Sequence, residues 1–366
     1  MDDTIRMPDE KTDLLLDVKD LRVSFRTDEG IITPVDGVTF RVRKGKTLGI
    51  VGESGSGKSV STRALVKLLP KNAIIDPASR IRYYPNGDGR PVEITALKAN
   101  SPEIRRIRGG EIAMIFQEPM ASFSPVYTIG NQIVEAVRQH RLSGRSPLAA
   151  TATVGRQVAE GVRAHEKMGR RAARGIAIEM LERVGIANAG MRVDQFPHEL
   201  SGGMRQRAMI AVALSTHPKI LIADEPTTAL DVTIQAQIVE LLKELQAELS
   251  MAVIFISHDM GLISRVADEV AVMYLGLIVE RGPTEELIDR PRHPYTRGLL
   301  AAIPRMEALG RRLTPVGGDI PGPMERPTGC PFHPRCPEFT PGICDASVPA
   351  RTAIGQNHFT RCFRYE

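Results

Sequence analysis

The sequence predicts an α/β fold: a parallel sheet with crossover helices, preceded by antiparallel strands and followed by a compositionally distinct carboxy-terminal quarter. Three observations predict it. Two apolar runs, ILIAD at 220–224 and AVIFIS at 252–257, bracket a stretch that places Ile238, Leu241, Leu242, Leu245 and Leu249 on one helical face, and strand–helix–strand order implies a parallel sheet. A third apolar run, TLGIVG at 47–52, ends in glycine and leads into Ala64, Leu65, Leu68 and Leu69 at helical spacing. All four cysteines fall in the last 37 residues, and 13 of the 26 prolines lie beyond residue 280, which sets an expected boundary there.

The elements follow in order. Residues 1–13 are a polar tail. Between 14 and 50, LRVSF and VTFRV place apolar residues at alternate positions, with DEG and RKG as turns. After the helix that follows residue 58, residues 80–117 read as further antiparallel strand, with a hairpin turn at Pro85-Asn86-Gly87-Asp88-Gly89. Residues 130–199 read as helical with interruptions, within a helical subdomain at about 120–215. No repeat of solenoid length is present.

Composition narrows the class. The chain has 366 residues, 42% of them hydrophobic, and a net charge of +5. Such a chain folds, which excludes disorder and collagen-like repeats. No apolar run approaches the ~20 residues of a membrane-spanning helix, and MDDTIRMPDEKTD is unlike a signal peptide. A cytosolic protein is expected, and its charge permits an anionic partner without choosing among nucleotide, nucleic acid and lipid.

The chemistry is carried by Gly52-Glu53-Ser54-Gly55-Ser56-Gly57-Lys58-Ser59, which fits G-x-x-x-x-G-K-[ST] between a strand and a helix. Glycines let backbone N–H groups turn around phosphate oxygens at the helix N-terminus. Lys58 is expected on the β- and γ-phosphates and the Ser59 hydroxyl on Mg²⁺, with Val60 completing the contact stretch. Asp224, at a strand end, is a second Mg²⁺-holding group. Glu225 beside it can polarise an attacking water. These features together read as a P-loop NTPase.

Six motifs in order then resemble the nucleotide-binding subunits of ABC transporters over about residues 14–280. Leu200-Ser201-Gly202-Gly203-Met204-Arg205-Gln206-Arg207 looks like the ABC signature. Gln117 matches the Q-loop glutamine, Ala229-Leu230-Asp231 the D-loop and His258 the switch histidine. Phe25 is the candidate for stacking on adenine. The resemblance implies a RecA-like parallel-sheet core, an antiparallel β subdomain and a helical subdomain. It also implies two cassettes head to tail, with ATP between the P-loop of one and Ser201, Gly202 and Gly203 of the other. Glu225 would be the general base, His258 would fix the γ-phosphate, and Gln117 would join Mg²⁺.

The words GESGSGKS, AMIFQEPMASFSP, FPHELSGGMRQRAMIA and IADEPTTALDVTIQAQI, with HPYTRGLLAAIP, DIPG and GCPFHPRCP in the tail, are similar to the oligopeptide/dipeptide importer subgroup and its D-type subunit. That resemblance implies an F-type ATPase as heterodimer partner, two transmembrane permeases and, indirectly, a solute-binding protein. It places the chain peripherally on the cytoplasmic face of the bacterial inner membrane. The alternative is an ABC ATPase acting on nucleic acid. The two cassettes and zinc-type cysteine spacing of repair ATPases, and the long heptad arms of chromosome-structuring ones, are missing here, so no nucleic acid is expected. Two regions depart from the cassette. Residues 138–174 hold nine Lys/Arg and two acids, a balance of 9 − 2 = +7, suited to a solvated insertion or to anionic lipid. Residues 281–366 form the extension, where Cys330, Cys336, Cys344 and Cys362 are spaced C-x5-C-x7-C-x17-C. Their spacing lacks the close pairs of zinc sites, and the subgroup carries a [4Fe–4S] cluster at matching cysteines. A cluster, zinc and free structural thiols are the open readings. The extension is expected to fold apart from the nucleotide site.

Overall fold

The computed structural model describes residues 13–86, 89–117, 122–142, 170–228, 230–303, 316–322 and 324–366. Gly87 and Asp88 of the expected turn, Ala229, and residues 143–169 of the basic stretch lie outside these. The chain divides into two units, one of Met1–Ala96 with Ile254–Glu366 and one of Leu97–Val253.

In the first unit, β1 (Leu14–Thr27) and β2 (Gly30–Arg43) form a long antiparallel pair. Alternation buries Leu16, Val18, Leu21 and Val23, and bulges such as that between Val18 and Leu21 shift the register. β3 (Thr47–Val51) is buried at all five positions. A Cβ at Gly49 would stand 2.7 Å from the Ile263 side chain, so glycine there lets the helix Met260–Val266 lie against the strand. The P-loop opens the helix Lys58–Leu65. β4 (Ala73–Ile75) and β5 (Arg80–Tyr83) pair with β1, and β6 (Val92–Glu93) pairs with β5. Antiparallel strand therefore stops at Glu93 rather than running to 117.

The second unit begins instead with the helix Pro102–Arg106, whose N-cap Ser101 accepts from the Ile104 N–H at 3.3 Å. β7 (Ile112–Ile115) runs parallel to β8 (Ile220–Asp224). Met180, Ala211, Leu214 and Leu245, from the helices Arg170–Arg183, Gly202–Leu214 and Val232–Leu249, line one small apolar cavity together with Val184. β9 (Ala252–Ser257) straddles the division.

Back in the first unit, β10 (Glu269–Tyr274) lies parallel to β3, the pairing expected of a crossover sheet. β11 (Leu277–Pro283) turns back on β10. The chain end then adds β12 (Thr352–Gly355) and β13 (His358–Thr360), with β13 pairing to β11 and β12 to β13. Beneath this edge the buried Glu280 carboxylate accepts from Arg292 N, His293 N and His358 Nε2 at 2.8, 2.9 and 3.0 Å.

His293 is almost fully buried and caps the helix Pro294–Ala301, its Nδ1 accepting from Tyr295 N at 3.1 Å. Burial pushes its pKa down to about 4, outweighing the opposing pull of Glu280. Between that value and ~6.5 the unfolded chain binds the extra proton, so stability falls as pH drops through this window. A loss on the order of 3 kcal/mol is expected between pH 7 and pH 4. His293→Asn keeps a capping oxygen without titrating, so denaturant melts should show a smaller acid loss for it than for the wild type. Equal losses would exclude His293 as the source.

Candidate functional site

In the first unit the P-loop is built by close approach. Gly52 faces the Met273 carbonyl, which a Cβ would meet at 2.2 Å. Gly57, at φ +98°, faces the Pro34 carbonyl, which a Cβ would meet at 2.1 Å. Neither position admits a side chain, whereas Gly55, at φ +80°, opens on empty space. The loop is tied down where Gly276 N donates to Ser56 O at 3.0 Å. Lys58 is buried and donates Nζ to the carbonyls of Gly52 and Glu53 at 2.6 and 2.9 Å. Ser54 and Gly55 are exposed, and Ser59 and Val60 are half-buried. Ser56 Oγ is buried without a hydrogen-bond partner, a polar group suited to an incoming phosphate oxygen. Phe25 is half-buried on β1, opposite Ile32 of β2 and Ala73 of β4. His258 is exposed directly after β9, before Asp259, which caps the next helix through Gly261 N and Leu262 N.

The second unit holds the carboxylates and the signature. Asp224 is fully buried at the end of β8. Glu225 follows at φ +48°, a left-handed conformation uncommon outside glycine. Gln117 Nε2 and Thr228 Oγ1 both donate to its Oε2, at 3.0 and 2.9 Å. Gln117 and Glu225 are thus brought together, and Thr228, which the motif reading passes over, joins them. Ser201 caps the helix Gly202–Leu214 by accepting from Met204 N. Arg205 Nε donates to the carbonyls of Pro197 and Leu200, both at 2.9 Å, which fixes the chain entering the signature. A Cβ at Gly202 would meet nothing nearer than Leu230 at 4.0 Å, so packing does not demand glycine there. Asp231 caps Val232–Leu249 by accepting from Ile234 N at 2.9 Å.

Residues 35–228 match the ABC transporter family. The chain belongs to that family. This ABC cassette also matches the oligopeptide/dipeptide transporter C-terminal region over residues 279–344. A Brucella melitensis protein named as a peptide import ATP-binding protein is 45% identical to it over 359 residues, covering 96% of this chain and 97% of its own. The dipeptide transport ATP-binding protein DppD of Bacillus subtilis is 43% identical, covering 95% and 94%. The MJ0796 ABC transporter cassette shares the fold at a TM-score of 0.57 and 24% identity, over 74% of this chain and 99% of its own. The Clostridium perfringens cbiO1 cassette gives 0.56 and 24%, over 76% and 92%.

The extension of the cassette corrects one expectation. Among the described residues no group of three or more His, Cys, Asp or Glu is arranged to hold a metal ion. The [4Fe–4S] cluster expected at Cys330, Cys336, Cys344 and Cys362, and the zinc alternative, are therefore withdrawn. None of the four forms a disulfide. Burial pushes Cys330 and Cys336 up to about 11, and Cys362 upward, with the neighbouring cysteines adding to each shift. The extension is held by other means. Phe332 is buried among Tyr274, Tyr295 and His293, and Cys330 N donates to Cys344 O at 2.7 Å. Glu338 pairs with Arg297 and Arg364.

Proposed function

We propose that the chain is the ATP-hydrolysing subunit of a peptide-importing ABC transporter. One observation carries the reading: an ABC cassette and an oligopeptide/dipeptide transporter C-terminal region lie on one chain. The near full-length likeness to a protein named for dipeptide transport supports it. The nucleic-acid alternative draws no support from these matches. In this reading 14–280 is the working cassette and 281–366 the importer-type extension. The partners are an F-type ATPase in a head-to-tail heterodimer, two transmembrane permeases and, through them, a solute-binding protein. In this reading the chain sits on the cytoplasmic face of the inner membrane through its permeases; no described helix is long and apolar enough to cross a membrane.

The residue roles follow from the motifs. On the first unit Lys58 and the loop N–H groups hold the β- and γ-phosphates, Ser59 offers a hydroxyl to Mg²⁺, Phe25 stacks on adenine and His258 holds the γ-phosphate. On the second unit Asp224 and Gln117 are the other oxygen donors for Mg²⁺, a hard cation that prefers such ligands and neutralises phosphate charge when bound. Glu225 takes the proton of the attacking water. Ser201, Gly202 and Gly203 receive the γ-phosphate of the partner's ATP. The open space beside Gly202 supports this role, since glycine there leaves room for a ligand to approach the backbone.

Co-expression with two hydrophobic permease subunits and a second cassette tests the reading. A membrane complex that takes up peptide only with ATP is the expected result. A chain that ignores permeases and copurifies with DNA would overturn it.

A further inference from the structure

Glu53, the second residue of the P-loop, is held from three sides. Its carbonyl accepts from Lys58 Nζ, within the loop itself, at 2.9 Å. Its N–H donates to Tyr295 Oη at 3.0 Å. Its carboxylate accepts both arms of the Arg335 guanidinium, Nη1 at 2.7 Å and Nη2 at 3.1 Å. Two of the three holds therefore come from beyond residue 280, in the same unit as the loop.

Arg335 is placed to exert this grip. Its side chain is 3% exposed against 29% for Glu53. Nε donates to Gly317 O at 2.9 Å and Nη2 to Val316 O at 3.3 Å. The guanidinium also stands 5.7 Å from the centre of the Tyr274 ring and reaches Tyr274 Oη at 3.4 Å. Tyr274 and Tyr295 meet at 4.8 Å, and both contact Phe332. Bidentate pairing fixes orientation as well as charge, which a lysine in the same place does less well.

We infer that Arg335 is a positioning residue for the nucleotide site, which pins Glu53 and cancels its charge so that the P-loop can receive a polyphosphate. The inference rests on the reading of the P-loop as the ATP site. A carboxylate at the second position of a phosphate-binding loop repels the phosphates that the loop must hold. An adjacent guanidinium removes that repulsion, and its rigid fork prevents the carboxylate from swinging inward. The extension thereby becomes part of the machinery that binds nucleotide.

A double-mutant cycle on the purified full chain tests this, with a fluorescent ATP analogue and Mg²⁺ as the probe. Arg335→Met is expected to weaken binding about 10-fold, a change of about 1.4 kcal/mol. Arg335→Lys should recover part of the loss. In a Glu53→Gln background the loss from Arg335→Met should shrink below about twofold, because the charge to be cancelled has gone. A packing role alone would leave the loss equal in both backgrounds, and that result overturns the inference, as does unaltered binding by Arg335→Met. Should Arg335→Met fail to fold, Arg335→Lys runs the same cycle, with a loss of about threefold that Glu53→Gln removes; equal losses in both backgrounds again overturn it. A wild-type chain that binds no nucleotide would instead overturn the reading of the P-loop.

Discussion

Glu225→Gln is expected to slow ATP hydrolysis by ~10²–10⁴-fold, the usual worth of a general base, while leaving ATP affinity within about twofold. Thr228 Oγ1 and Gln117 Nε2 both donate to one oxygen of the Glu225 carboxylate. Glutamine is nearly isosteric and keeps a carbonyl that can accept from Thr228, so the local turn survives. What it loses is the ability to take a proton from water. Binding and chemistry therefore separate: titration with a fluorescent ATP analogue should match the wild type, and phosphate release should not. ATP-bound dimers should accumulate, visible by gel filtration of the assembled ATPase pair. Wild-type turnover by this variant would remove Glu225 from the mechanism.

Lys58→Ala is expected to act at the earlier step, weakening ATP binding by ~10²-fold and taking hydrolysis with it. The ammonium is buried and already donates to the Gly52 and Glu53 carbonyls, so it stands inside the loop before nucleotide arrives. Each charge-assisted hydrogen bond to phosphate is worth about 1.5–3 kcal/mol, and alanine supplies none. Alanine also leaves two loop carbonyls facing incoming phosphate oxygens, a repulsion that the lysine masks. Equilibrium binding at several Mg-ATP concentrations measures the effect. Affinity unchanged in Lys58→Ala would show that phosphate is bound elsewhere.

The sequence made the nucleotide motifs legible because their chemistry is local. The P-loop spans eight consecutive residues, and its glycines are needed by contacts that a Cβ would block. β3, β8 and β9 were legible as unbroken apolar runs, since strands buried on both faces lose the alternation of half-buried ones. The helix Pro102–Arg106 lies where the alternating pattern predicts strand, although Ser101-Pro102-Glu103 carries its start signal of N-cap, N1 proline and early acid. Thr228 is illegible because a threonine three residues beyond Glu225 has no distinctive spacing. The reach of Arg335 was illegible for a different reason. HPYTRGLL and GCPFHPRCP both stand out as words, but no pattern in a sequence links Arg335 to Glu53, 282 positions earlier. The cysteines are ambiguous in the sequence because four thiols grouped in a proline-rich segment look alike whether they bind metal or, as here, one is buried and three are half-buried.

The pairing of β10 with β3 has a consequence for how the chain is made. Lys46 and Asp268, at the ends of these two strands, are 222 residues apart. A ribosome releases the five buried residues of β3 long before their partner exists, and contacts of such separation form slowly. The second unit, one unbroken stretch from Leu97 to Val253, is complete before the first has its other half. β13 then pairs with β11, and β12 with β13, so that β11 does not present an open backbone edge. A chain stopped after residue 283 would lack β12 and β13 and would leave the backbone of β11 unpaired on that side.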